Sequence, residues 1–415
     1  MSVSLFLALT LWFCSNVVTS QLVSVFEAST FGRDLLSVGL TGGFVIGCLV
    51  YAFLNVADVY GARNVFLTSA LAGGLANGVA ALGWSLWGVV VFRVLTGFFL
   101  AGVYPVGLKL ASSWFLEDRG FALGVMVGAL TLGSGLPYLL GVVGIPGWRV
   151  TLLASSGMAA LGGLLVGGLF REGPHGAGAA SFEVGKVVEI LGDGAQRLAF
   201  LGYFGHMWEL YAMWVWVPVF LRESYLGAFP GSDPMMFVSV GAFLVFRFGA
   251  VATGVSGRVA DMWGRTAFTG VVLGLSGLGS LVIGLFFDYP YVALAVAVAW
   301  GVVVIPDSPQ YSSMVSELAE AGYVGTALTL QMALGFLLTI FSIRVLPWFV
   351  ELVGWRYGFT ILGIGPLVGI ASMYLLRRHP DSVRIAGGRR YDHSGRFCPW
   401  PRRRYGLFRS VDCES

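Results

Sequence analysis

The stretch Gly257-Arg258-Val259-Ala260-Asp261-Met262-Trp263-Gly264-Arg265 closes one long apolar run and opens the next. Its core has a counterpart 203 residues earlier, where Ala57-Asp58-x-x-Gly61 stands against Ala260-Asp261-x-x-Gly264. Two further echoes follow in the same order. Gly120-x-Ala122-Leu123 returns as Gly325-x-Ala327-Leu328 after 205 residues, and Gly147-Trp148-Arg149 returns as Gly354-Trp355-Arg356 after 207. Each match is short. Three in order, at a nearly constant offset, imply an internal duplication.

The residues between these echoes are mostly apolar. Hydrophobic residues make up 57% of the 415, charged residues only 11%, and there are 60 glycines. A soluble domain carries roughly a quarter charged residues. This composition argues against soluble enzymes, secreted disulfide scaffolds and disordered chains, and leaves an integral membrane protein. A helix needs about 20 apolar residues to cross the hydrocarbon core. Runs of that kind lie at 2–22, 36–57, 64–83, 86–108, 120–142, 150–170, 198–221, 236–257, 265–287, 291–313, 324–349 and 356–376. They are continuous rather than alternating, so helices are expected and a barrel is not. No Lys or Arg precedes Leu5. The basic start of a signal peptide is therefore missing, and the first run reads as a retained helix.

The expected fold is an all-α integral membrane protein with twelve transmembrane helices in two six-helix repeats. The repeats are 1–170 and 198–376, with a cytoplasmic linker at 171–197 and a basic, disordered cytoplasmic tail at 377–415. Six is even, so the repeats enter the membrane in the same direction and an axis along the membrane normal relates them. With the N-terminus inside, the inner loops hold Arg63, Lys109, Arg119, Arg171, Lys186, Arg197, Arg258 and Arg265. The outer loops hold only Arg33, Arg149, Arg222 and Arg356. This asymmetry places both termini in the cytoplasm of a multi-pass cell-membrane protein. The formal charge of +3 comes from the tail, which carries 10 basic and 4 acidic residues from Arg377 onward. It reads as a segment touching anionic lipid, or a solvated extension, and not as a nucleic-acid face.

Gly257 to Arg265 resembles the signature loop of the major facilitator superfamily between its eighth and ninth helices. Asp58-Val59-Tyr60-Gly61-Ala62-Arg63 resembles the first copy of that loop. There Leu54 replaces a glycine and Ala62 moves Arg63 one residue later. Arg93-x-x-x-Gly97, Tyr104-Pro105 and Trp114 resemble the fourth-helix motif. Gly128, Gly133, Gly135, Pro137 and Gly141 resemble the glycine-rich fifth helix of its antiporters, interrupted by Leu136. The resemblance implies secondary active transport by alternating access. It makes Asp58, Gly61, Arg63, Asp261, Gly264 and Arg265 gating residues. Asp58 and Asp261 precede the third and ninth helices, whose N-termini favour negative charge. Arg63 and Arg265 are expected to meet carboxylates or carbonyls across the seam between the repeats. Gly205 to Tyr211 adds a narrower likeness to cyanate- and nitrate-permease-like members.

Charges inside a membrane are costly and mark functional candidates. Arg93, Glu209, Arg247, Asp307 and Arg344 fall within the runs. Arg344 lies near a run end, where it can snorkel. Arg93 lies at the depth of Asn16 and reads either as its partner or as a solute contact. Glu209 and Arg247 share the midplane. They read as a structural ion pair, or as a proton carrier and an anion contact. His206 lies three residues before Glu209 on the same face, so a His–Glu relay stands beside simple packing. Asp307 sits in Ile305-Pro306-Asp307-Ser308-Pro309-Gln310, where two prolines open the helix. It reads as a cap or as a cavity group. Gln310 and Gln331 are polar core candidates.

No GxxxxGK[ST], HExxH, paired CxxC or GxSxG occurs, so no cofactor, metal or enzymatic role is expected. Of the four cysteines, Cys14 and Cys48 lie in apolar runs as packed hydrophobes, and Cys398 and Cys413 lack ligand spacing. The expected partners are a small, anionic solute, protons and lipids, with the chain as a monomer. Two alternatives stay open: efflux of amphipathic compounds, and a transporter-like sensor.

Overall fold

The computed structural model describes residues 1–388, apart from 84, 116–117, 144–146, 177–182 and 184. Among them there is no strand. The first elements are α1 (Ser2–Val25), α2 (Thr30–Phe53), α3 (Val56–Val59), α4 (Ala62–Ala80), α5 (Leu86–Leu100), α6 (Tyr104–Ser112), α7 (Arg119–Val143) and α8 (Trp148–Leu169). They are followed by α9 (Gly185–Gly192), α10 (Gly194–Ala228), α11 (Met235–Trp263), α12 (Arg265–Val282), α13 (Pro290–Val304) and α14 (Ser308–Leu318). The last are α15 (Val324–Val353), α16 (Trp355–Gly358) and α17 (Ile364–Arg378). Eight helical stretches among the described residues are long and apolar enough to cross a membrane. The protein is a multi-pass, all-helical membrane protein.

Helix ends follow local chemistry. Ser29 and Ser85 accept hydrogen bonds from Gly32 N and Gly88 N and so start α2 and α5, and Asp193 accepts from Gln196 N to start α10. Gly61 and Gly264 stand at φ +80° and +89°, immediately before α4 and α12. A Cβ is strained at that φ, which is why the repeated motif carries glycine there. The glycines of the fifth run serve packing. A Cβ on Gly128 would lie 2.7 Å from Ala250 O, and one on Gly135 would lie 2.7 Å from Phe246 Cβ, so α7 and α11 approach closely. Pro137 and Gly141 have side-chain environments outside the described residues.

One boundary differs from expectation. Residues 380–388, expected within a disordered tail, fold into 3₁₀ turns against the end of α14. Ile385 is buried there, Arg384 Nη2 donates to Ala319 O at 3.2 Å, and Ala386 N donates to Glu317 Oε2 at 3.0 Å. The polar composition concealed one apolar anchor and two backbone-level contacts. Arg389-Arg390 and Arg402–Arg404 lie outside the described residues.

Candidate functional site

The repeated aspartates interlock the two halves of the chain. Asp58 is buried and accepts from Gly325 N at 2.9 Å, Thr326 N at 2.6 Å and Thr326 Oγ1 at 2.7 Å. Its carboxylate therefore caps α15, where free N–H groups and the helix dipole favour negative charge. Lys109 Nζ, from α6, lies 2.8 Å from Asp58 Oδ1. Asn55 Nδ2 donates to Thr326 Oγ1 at 3.1 Å. A Cβ on Gly325 would lie 2.8 Å from Asp58 Oδ1, so this approach needs glycine.

Asp261 repeats the arrangement in the opposite direction. It accepts from Gly120 N at 3.3 Å and Phe121 N at 3.1 Å, at the start of α7. A Cβ on Gly120 would lie 2.6 Å from Asp261 Oδ1. Arg265 Nη1 lies 2.7 Å from Asp261 Oδ1 and donates to Gln310 Oε1 at 2.8 Å. Its Nη2 and Nε donate to Glu317 at 2.8 and 3.0 Å, a bidentate fork. Arg119 Nη1 donates to Ser316 Oγ at 3.2 Å, and the Arg258 guanidinium stacks 4.3 Å from the Phe121 ring centroid. Two of the three sequence echoes are thus the two sides of one reciprocal lock.

Several expectations need correction here. The aspartates cap helices from the other half of the chain and not the helices they immediately precede. Glu172 caps α4 instead, accepting from Ala62 N at 2.7 Å. Among the described residues Arg63 meets no carboxylate across the seam; its Nε donates to Gly167 O at 2.9 Å within the first half. Arg265 likewise pairs with residues of its own half; on this side the contacts across the seam are made by Asp261, Arg119 and Arg258. The linker adds an ion pair that sequence reading missed. Lys186 on α9 lies 2.7 Å from Glu320 and 2.9 Å from Glu189. Hydrogen bonds to those two carboxylates raise the Lys186 ammonium above its ordinary range.

The deep charges do not assemble as expected. Glu209 and Arg247 are not partners. Glu209 Oε1 accepts from Trp300 Nε1 at 2.8 Å, facing α13, while Arg247 lies on the exposed face of α11. Helix rotation separates them, and their shared depth concealed this. His206 does not pair with Glu209 either. Its Nδ1 lies 2.9 Å from Asp307 Oδ1, with both side chains 1% exposed. Asp307 takes the N-cap position of α14 but makes no side-chain cap bond, so the capping reading also fails. Gln310 is taken up by Arg265. Gln331 is fully buried, with both polar atoms unpartnered.

Arg93 is committed within the first half of the chain. Nη1 donates to Asn77 Oδ1 at 2.5 Å, and Nη2 donates to Leu11 O at 3.3 Å. The Asn16 side chain lies outside the described residues. Charged hydrogen bonds of this kind contribute about 1.5–3 kcal/mol. Arg93→Met is therefore expected to lower the melting temperature while leaving solute affinity within about twofold, as a site remote from the ligand would. Lost affinity with an unchanged melting temperature would place Arg93 at the solute.

A small cavity lies where the two halves meet. Tyr104 and Thr131 line it from one half, and Tyr203, Tyr211, Trp214, Ser308 and Phe336 from the other. No basic side chain is among its lining residues. Trp214 is 7% exposed and its indole N–H has no partner. Trp208 packs elsewhere, donating to Ile361 O at 3.2 Å. Tyr104-Pro105 opens α6 and Ser308-Pro309 opens α14, 204 residues apart. The fourth and tenth runs thus break at matching places, and both breaks reach the cavity. Among the described residues no cluster of His, Cys, Asp and Glu could hold a metal ion.

The sequence model of the Major Facilitator Superfamily matches residues 1–343. The chain belongs to this superfamily. Its members are transporters and not enzymes, and secondary active transport accords with the fold. The probable sulfoacetate transporter SauU of Cupriavidus necator is 24% identical over 229 residues, 50% of this chain and 50% of that protein. The chain therefore aligns with half the length of that relative. The MFS-type transporter pytF of Aspergillus terreus is 23% identical over 248 residues, 58% of this chain and 78% of that protein. Among solved structures, the human organic anion transporter MFSD10 is similar at a TM-score of 0.70 and 18% identity, covering 90% of this chain and 98% of that one. The proton:xylose symporter XylE gives a TM-score of 0.69 at 15% identity, covering 90% of this chain and 94% of that one. These structures support the superfamily fold. The narrower cyanate- and nitrate-permease likeness gains nothing from the relatives named here.

Proposed function

We propose that the protein moves a small solute by alternating access, with proton coupling, through twelve helices arranged as two parallel repeats. The observation that carries this reading is the reciprocal lock. Each half lends a buried aspartate to a helix N-terminus of the other, on one face of the molecule. Such contacts hold that face closed and can break as a unit. The distribution of loop arginines and lysines makes it the cytoplasmic face, with both termini on the same side.

An anionic solute is the leading assignment, on grounds different from those the sequence suggested. Arg93 and Arg247 do not line the cavity. The Trp214 N–H and the cavity hydroxyls offer donors instead, and α6 and α14 begin at the cavity wall. Helix N-termini favour negative charge. The similarity to a probable sulfoacetate transporter and to an organic anion transporter points the same way. A second reading, transport of an uncharged amphipathic compound, is favoured by the aromatic lining without a basic side chain.

Counterflow in proteoliposomes, with labelled anions, cations and amphipaths and with or without a pH gradient, separates these. Trp214→Phe keeps the ring and removes the donor. It is expected to raise KM for an anion about tenfold, the loss of one charged hydrogen bond. Selective uptake of uncharged amphipaths, unchanged in Trp214→Phe, would replace the anion reading with the second. No transport across the panel would favour a sensor.

A further inference from the structure

We infer that His206 and Asp307 form one proton-binding site that controls, through α14, whether the Asp261 side of the lock is closed. The inference rests on the transport reading above and assigns its coupling residues.

The pair sits at the break between α13 and α14. His206 Nδ1 and Asp307 Oδ1 are 2.9 Å apart, and both side chains are almost fully buried. Among the described residues no lysine or arginine pairs with either. Among the described residues, the titratable groups that interact with the pair are Tyr203 and Glu209 on α10 and Tyr311 on α14. The Tyr203, His206 and Tyr311 rings lie 5.9 to 6.1 Å apart. The α17 side presents Gly365, Gly369 and Met373 to this part of α10, and α15 presents Met332, none of them titratable. His206 Nε2 has no partner, which leaves an open position for water or a proton.

With one proton beyond a neutral histidine and a carboxylate, the pair carries no net charge and fits a dry site. When the O–H or N–H bond breaks and the proton leaves to water, a net negative charge remains. A buried charge without a counter-ion must recover its proton or draw in water. The wall beside it is built to move. Pro306 and Pro309 remove backbone donors at the break, and α14 is a short helix. The same helix carries Gln310, Ser316 and Glu317 farther along, where they hold Arg265 and Arg119. Arg265 in turn holds Asp261 against the start of α7. A tilt of α14 that hydrates Asp307 therefore strains all of these contacts together. Ser308, beside Asp307, faces the solute cavity, so the solute and the proton act on one helix.

The test uses the full chain in nanodiscs without solute. Asp118→Cys and Met262→Cys place spin labels at exposed positions on either side of the Asp261 lock, with Cys398 and Cys413 changed to serine. Raising the pH from about 5.5 to about 8.5, across the range where histidine-linked sites titrate, is expected to lengthen the interspin distance. Asp307→Asn should abolish the shift and keep the distance short, and His206→Gln should abolish it. Asp307→Glu retains the carboxylate and should keep the shift with a displaced midpoint. Gln310→Ala should still bind the proton, read as proton uptake, while the distance no longer follows it. An unchanged shift in Asp307→Asn or His206→Gln overturns the inference, as does its loss in Glu209→Gln with both pair variants unaffected. Thermal unfolding of each variant identifies any that fail to fold. A pH-dependent distance in a protein that transports nothing would reject the transport reading and leave the proton site standing. A pH-independent wild-type distance with intact transport would reject the proton site alone.

Discussion

Asp58→Asn is expected to shift the equilibrium between closed and open lock faces about a hundredfold toward open. The carboxylate serves two backbone N–H groups, one hydroxyl and Lys109, and its side chain is wholly buried. An amide of the same shape keeps one acceptor and loses the charge. Hydrogen bonds to charged groups contribute about 1.5–3 kcal/mol each, so a loss on the order of 3 kcal/mol is a modest reading of this site. Lys109, 12% exposed, also loses its counter-charge and keeps only the Ala57 carbonyl, while α15 loses the negative charge at its N-terminus. Spin labels replacing the exposed Tyr60 and Ala321 would report the change as a longer mean distance. Net transport should fall, because a face that no longer closes cannot alternate. A short distance and normal transport in Asp58→Asn would show that the aspartate fixes helix packing and does not hold a gate.

Arg265→Met is expected to be the more damaging change, to stability as well as transport. Arg265 is 2% exposed and is shared by Asp261, Glu317 and Gln310. Its removal takes the directly paired cation from the buried Asp261 and the partly buried Glu317. Breaking a buried pair in this way costs about 3–5 kcal/mol, because the orphaned charge stays buried. The double variant Arg265→Met with Glu317→Gln should recover much of that loss. Asp261 remains charged in it but keeps the N–H groups of Gly120 and Phe121. Melting temperatures of the wild type, both single variants and the double close a cycle that isolates the coupling. A single Arg265→Met variant as stable as wild type would mean that the cluster contributes no net energy. The same cycle with Asp58 and Lys109 would compare the two sides of the lock.

Much of the contact between the two halves was legible in the sequence, although its wiring was not. Asp58, Gly61, Asp261 and Gly264 stood out because they repeat. So did Gly120 and Gly325, as echoes whose purpose was not evident. Only folding brings Asp58 to Gly325 and Asp261 to Gly120, across more than a hundred residues of intervening chain. Glu317, Lys109 and Glu172 gave no comparable signal. A carboxylate or amine near the end of an apolar run looks the same whether it meets solvent or a buried partner. The cavity residues were harder still. Tyr203 and Phe336 resemble the many other aromatics of the chain, and aromatics at helical spacing usually pack.

By itself the sequence determined the membrane class, the helical content and the superfamily. Each follows from local quantities: run length, scarcity of charge and a motif of nine residues. It also determined which few polar groups lie deep in the apolar runs. The tertiary structure decided which of them meet. Depth along a helix can be counted in the sequence, but the direction in which a side chain points depends on how neighbouring helices pack. That rotation turned Arg247 outward, committed Arg93 to Asn77, and gave His206 to Asp307 in place of Glu209.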